Sequence, residues 1–160
     1  MSKIKIGGTF IQDHLAVIRI SFVDARDDAA ATYLSLLGES GINIHFISHV
    51  LDQKRHDHLV IAVSHDDLQK AFDLACSTQV ELKASAVSFS KNNASVGIYG
   101  PDFRYRPGIA GALLRALANQ KIVVQAISTS VSTCSALIPS DRLGDAVKAI
   151  EQAFEMPSLE

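Results

Sequence analysis

Three short stretches hold residue types whose spacing could do chemistry. "KIGG" at 5–8 sets a lysine just before a glycine pair, the composition of loops that bring backbone amides and a cation to nucleotide phosphates. "RYRPGIAG" at 104–111 sets two arginines beside a Pro-Gly step. Proline presets the first turn of a helix and glycine lets a ligand approach the backbone, so the free amides of that turn suit the carboxylate of a small molecule. "HFISHVLDQKRHDH" at 45–58 holds four of the six histidines. Strand alternation puts His45 and His49 on one face, and a turn near Gln53 and Lys54 would set His58 across from His49, three imidazoles around a zinc or nickel ion. The competing reading is a polar hairpin tip with solvated histidines, and no metal or other cofactor is expected.

What each stretch can do depends on the elements that carry it, and these repeat. "DDAAATYLSLLGESGINIHFIS" (27–48) lies over "PGIAGALLRALANQKIVVQAIS" (107–128) at an offset of 107 − 27 = 80, with Ala30, Leu34, Leu37, Ile42 and Ile47 above Ala110, Leu114, Leu117, Ile122 and Ile127. After a shorter hairpin, Leu68, Ala71 and Phe72 fall on Leu143, Ala146 and Val147. In the first copy, "LAVIRISFV" (15–23) reads as a strand and Ala30, Tyr33, Leu34 and Leu37 as a helix. Strands at 42–50 and 58–64 follow, then a helix through Leu68, Ala71 and Phe72 capped from Ser64, and a strand at 82–90. That order is the ferredoxin-like βαββαβ motif of an α+β fold. The second copy supplies a strand at 94–100, a helix at 107–119, strands at 121–130 and 133–139, and a helix at 141–155.

The second copy lacks a sixth element, while residues 3–12 form a strand that the first does not need. We therefore expect "KIKIGGTFIQ" to complete the second sheet, with Ile4, Ile6 and Phe10 facing the helices, so that the first unit (14–81) is inserted within the second (1–13 with 82–160). This disposes of the phosphate loop, which needs a helix after its glycines. Gly7 and Gly8 precede a strand, a polar turn and another strand, and read as a bulge or a close-packing point.

Composition narrows the function classes. With 48% hydrophobic and 20% charged residues at a mean hydropathy of +0.18, the chain is globular. A net charge of −2 gives no footprint for nucleic acid, and no apolar run approaches a membrane span. The amino terminus lacks a signal-peptide core, and two distant cysteines, Cys76 and Cys134, fit reduced thiols, so a cytoplasmic protein is expected. No set of acids, bases and nucleophiles assembles into a catalytic site.

The repeat also carries a resemblance. "GPDFRYRPGIAGALLRALANQKIVVQAISTS" (100–130), "ESGINIHFIS" (39–48) and "GTFIQDHLAVIRI" (8–20) resemble the tandem ACT-domain regulatory region of aspartokinases, over nearly the whole chain. What the resemblance implies is the sensor without the kinase: a non-catalytic module that binds an amino-acid effector, forms a homodimer and controls in trans a biosynthetic enzyme such as an aspartokinase catalytic subunit. It places an effector pocket at Arg106, Pro107, Gly108, Ile109 and Ala110 of one subunit with Asn43 and Ile44 of another. A second candidate site comprises Asp27, Asp28, Ala29, His49, Val123 and Val124. There Asp27 and Asp28 stand where the other copy has Pro-Gly, and the family's effector-contacting Gln and Asn fall on His49 and Val123. The alternative function is a metal-responsive or structural oligomerisation module whose amino-acid site has decayed.

Overall fold

The computed structural model describes residues 3–23, 28–101 and 103–157. The chain divides into two compact units: an inserted unit, His14–Asn92, and a split unit, Met1–Asp13 with Asn93–Glu160. The elements are β1 (Ile4–Lys5), β2 (Gly8–Phe22), α1 (Ala29–Glu39), β3 (Phe46–Leu51), β4 (Asp57–Ser64), α2 (Leu68–Ser77), β5 (Ala84–Tyr99), α3 (Ile109–Asn119), β6 (Ala126–Thr129), β7 (Thr133–Pro139), α4 (Leu143–Ala153) and β8 (Phe154–Glu155). A short 3₁₀ turn precedes each of α2 and α4.

The inserted unit runs β2, α1, β3, β4, α2, β5, with strand order β3-β4-β2-β5, the ferredoxin-like arrangement. β2 pairs antiparallel with β4 from Leu15↔Ser64 to Phe22↔Asp57, and β3 with β4 from Phe46↔Ala62 to Leu51↔Asp57. Alternation along β2 sends Ala16, Ile18, Ile20 and Phe22 into one core with Tyr33 and Leu37 of α1 and Leu68, Ala71 and Ala75 of α2. Residues 82–92, drawn with the second unit from sequence, group here because Leu82 is buried in this core and Val87 packs against it. Ser85 Oγ donates to the Ser21 carbonyl at 3.1 Å, and Arg19 Nη1 to Ser90 Oγ at 3.3 Å, which tie β5 to β2.

The split unit has strand order β2-β5-β7-β6, so the front of the chain occupies the place that β5 takes in the inserted unit. β5 pairs with β7 from Asn93↔Pro139 to Tyr99↔Thr133, and β1 pairs parallel with β8, Ile4↔Phe154. Ile6 and Phe154 are buried with Val96, Ile98, Leu113, Leu117 and Ile150. Phe10 departs from expectation. It shares a face with Gly97, opposite Val96 and Ile98, and its half-exposed ring lies so close over Gly97 that a Cβ there would overlap it. The glycine pair is a close-packing point: a Cβ at Gly7 would lie 2.8 Å from Tyr99 Cε2, and one at Gly8 2.7 Å from Tyr99 Oη.

Two expected strand breaks are bends. The polar "QDH" turn lies within continuous β2, and 82–90 runs into 94–100 as β5. His14 (φ 55) and Asn92 (φ 57) take the left-handed conformation there, and one such residue bends a strand without ending it. The helix ends repeat as well. After α1, Gly41 (φ 74) and Ile42 donate to Gly38 and Leu37; after α3, Lys121 (φ 56) and Ile122 donate to Ala118 and Leu117. Both are left-handed helix terminations, one made with glycine and one without. Among the described residues no helix is long and apolar enough to cross a membrane.

Candidate functional site

The β5–α3 turn is built around two glycines. Gly100 donates its amide to the Ser132 carbonyl at 2.9 Å, and the Phe103 ring lies where a Cβ of Gly100 would be, 2.6 Å from Cε1. Gly108, at φ 90 and ψ −2, is the residue before α3, a left-handed conformation that favours glycine. Its carbonyl accepts from the Ala112 amide at 2.9 Å, closing the first helical turn, while the amides of that turn have no intrahelical acceptor.

These residues open a cavity of about 200 Å³, lined on the turn side by Phe103, Arg106, Gly108, Ile109 and Ala110. The facing side is the β6–β7 hairpin: Thr129, Ser130, Thr133 and Cys134. The hairpin is stiffened by its own hydrogen bonds. Ser130 and Thr133 hydroxyls lie 2.7 Å apart, the Ser130 amide donates to the Thr133 carbonyl at 2.8 Å, and the Thr133 amide donates back to Ser130 Oγ at 3.2 Å. Cys134 is buried, and burial pushes its thiol above the usual range. The lining thus combines helix-start amides, a guanidinium and hydroxyls, with no carboxylate among its described residues. That set suits an anionic group such as a carboxylate.

Of the residues picked from sequence, Arg106, Gly108, Ile109 and Ala110 come together here. Pro107 sets the turn without lining the cavity. Asn43 and Ile44 lie in the inserted unit between α1 and β3, Asn43 exposed and Ile44 against that unit's core. In the second candidate set, Asp27 lies outside the described residues. Asp28 precedes α1 without a side-chain capping bond, and Ala29 is buried. Val123 is 69% exposed, and Val124 packs on the split unit's core. The hairpin residues Thr129, Ser130, Thr133 and Cys134 were missed. Chain direction could have found them, because β5 and β6 run the same way and their ends lie at one end of the unit.

The histidine-rich hairpin does not assemble the three-imidazole arrangement that its spacing allows. The register pairs His49 with Leu59 and His58 with Val50, so the side chains of His49 and His58 point to opposite faces. Three of the four histidines there lie beside a carboxylate instead: His49 Nε2 is 3.1 Å from Asp57 Oδ1, and His56 Nδ1 and His58 Nε2 are 3.4 and 3.3 Å from Asp52 Oδ2, while His45 is exposed ahead of β3. Asp52 Oδ1 accepts the Lys54 and His56 amides at 2.8 and 2.9 Å. The His56 amide above all, then His58 and Lys54, holds the Asp52 carboxyl down at about 2. No group of three potential metal ligands converges among the described residues.

Comparison with known proteins agrees with this architecture. Residues 96–154 match the family model described as ACT domain. The chain is 22% identical over 151 residues to an aspartokinase of Bacillus sp. (strain MGA3), covering 94% of this chain and 37% of that protein. It is 30% identical over 133 residues to an aspartate kinase of Pseudomonas fluorescens, covering 81% and 32%. The chain therefore spans about a third of the length of the curated relatives it matches. Its fold superposes on the regulatory subunit of aspartate kinase from Thermus thermophilus with a TM-score of 0.84 and 23% identity, over 94% of this chain and 99% of that one.

Proposed function

The chain is an ACT-domain protein of the aspartokinase regulatory type, and from that premise we propose that it is a non-catalytic module that binds a free amino acid and transmits its presence to a biosynthetic enzyme. The observation that carries this reading is the 200 Å³ cavity at Gly108. A left-handed glycine opens the start of α3, so the amino-terminal amides can take the ligand's α-carboxylate while Arg106 adds positive potential. Asn43 and Ile44 of a second copy complete the pocket in this reading. The matches fall within a part of longer aspartokinases, and one structural relative is itself called a regulatory subunit. The second of these supports action in trans on a separate catalytic subunit.

A homodimer is part of the proposal. In the inserted unit the sheet ends on β3, which carries exposed Ile47, Val50 and Leu51, an apolar edge of the kind that pairs with another chain. The test is a thermal-shift panel of the proteinogenic amino acids with sedimentation in parallel. A true effector at 100 times its Kd raises stability by about 2.7 kcal/mol. A panel with no shift at millimolar ligand overturns amino-acid binding, and a monomer at micromolar concentration overturns the dimer.

A further inference from the structure

We propose that the inserted unit holds a second, separate site, which binds a small zwitterion with an apolar side chain, a free amino acid, between the start of α2 and the first half of β5. A cavity of about 160 Å³ lies there. Its floor is Leu68 with Phe72 and Phe89, whose rings meet edge to face, 4.8 Å between centroids at 71°. Asp66, from the turn before α2, and Lys91, from β5, also line it and supply opposite charges.

Phe89 is the unusual member. Alternation along β5 puts Val87, Phe89 and Lys91 on one face. Val87 packs on the core of the unit, yet Phe89 is 44% exposed. A single exposed aromatic is common, but this one is fixed against Phe72 as the wall of a cavity bordered by a cation and an anion. That combination fits a zwitterion: Lys91 takes the carboxylate, Asp66 the ammonium, and the two rings the apolar side chain.

The internal repeat provides a control. Sliding Leu68 onto Leu143 (143 − 68 = 75) sets Gln69 on Gly144 and Phe72 on Val147. The aromatic wall is therefore missing at the start of α4, where Ser140 Oγ instead donates to Asp13 Oδ1 at 2.7 Å and ties the turn before the helix to β2. The ligand also has to be small. At about 30 Å³ of liquid volume per water, 160 Å³ holds about five non-hydrogen atoms, enough for a short apolar side chain against the two rings with the head group at the charged edge, and well below the 300 Å³ or more of a drug-sized pocket.

The ligand class rests on the proposed amino-acid-binding function, but the site does not involve the Gly108 cavity, and backbone amide shifts in a ¹⁵N-labelled chain separate the two. Each apolar amino acid is titrated to millimolar concentration, with the matching carboxylic acid that lacks the ammonium as control. The expected result is saturable shifts of the 65–69 and 89–91 amides with an amino acid and not with its carboxylic-acid control. These shifts weaken about tenfold in Lys91→Gln and in Asp66→Asn, the worth of one charge-assisted hydrogen bond each, and persist in Gly108→Val. Shifts confined to 108–112 overturn this site and leave the proposed function standing. Shifts at 65–69 and 89–91 alone support this site and count against the Gly108 cavity. Equal response to the carboxylic acid overturns the zwitterion assignment, and silence in both regions overturns both proposals.

Discussion

Replacing Gly108 with valine tests the proposed effector cavity on terms set by its geometry. A Cβ at this position meets nothing within 4 Å, so the substitution causes no clash. Its cost is conformational: at φ 90 an L residue gives up about 1–2 kcal/mol, toward the upper end for a β-branched side chain. For a chain of this length each kcal/mol lowers Tm by about 2–4 °C, so a folded variant melting about 2–8 °C lower is expected. The valine methyls then occupy the space before the Ile109 and Ala110 amides. Loss of one hydrogen bond from those amides to a carboxylate is worth about 1.5–3 kcal/mol, or about 10- to 150-fold in Kd. Calorimetry measures this directly. Alkylation gives a second reading, because Cys134 lines the cavity while Cys76 is exposed elsewhere. Ligand should slow modification of Cys134 but not Cys76 in the parent, and protect neither in the variant. A variant that melts within this window and binds as tightly as the parent refutes the placement of the ligand. Gly108→Ala, with the smaller backbone penalty, serves if valine unfolds the chain.

Other perturbations follow from the packing. Tyr33 is fully buried and donates its hydroxyl to the Ala71 carbonyl at 2.9 Å, so Tyr33→Phe should lower stability by about 0.5–1.5 kcal/mol in a urea melt. Burial raises the Tyr33 pKa above its ordinary value. The folded state therefore holds the proton more tightly, and stability is full below about pH 10 and falls as pH rises above it; the phenylalanine variant should lose part of that alkaline slope. Asp52 has the opposite sign. Its carboxyl is held down at about 2, so its contribution is present above pH 4 and lost as pH falls toward 2, and hydrogen exchange at the Lys54 and His56 amides should quicken there and in Asp52→Asn at neutral pH. Ile6→Ala removes a side chain that is 3% exposed and buried beside Phe154. It should cost about 2–5 kcal/mol, and exchange should reveal the loss in the split unit rather than the inserted one.

The split unit was legible from sequence because it follows from counting: two copies at an offset of 80, one short of a strand, with a surplus strand at the front. The start of α3 was legible in Pro107-Gly108. The facing hairpin was not, since Thr129, Ser130, Thr133 and Cys134 carry no charge pattern and line the cavity only through where β6 turns. The facing of the histidines was not legible for a related reason. A one-residue difference in register, set by a longer hairpin tip than Gln53 and Lys54 imply, reverses which face His58 occupies relative to His49. Bends at His14 and Asn92 were read as breaks, because polar residues mark turns and left-handed strand bulges alike.

The pairing of Ile4 with Phe154 joins residues 154 − 4 = 150 positions apart. During synthesis the inserted unit can close once residue 92 has emerged, whereas the split unit waits for α4 and β8, some seconds later at about 5–20 residues per second. In that interval Ile4 and Ile6 lack Ile150 and Phe154 of their core, and the front segment is an apolar strand that another nascent chain could capture. The early closure of residues 14–92 also helps the late one. Because β2 and β5 are neighbours, it draws Asp13 and Asn93 together, so the final pairing closes a much shorter effective loop than the chain length implies.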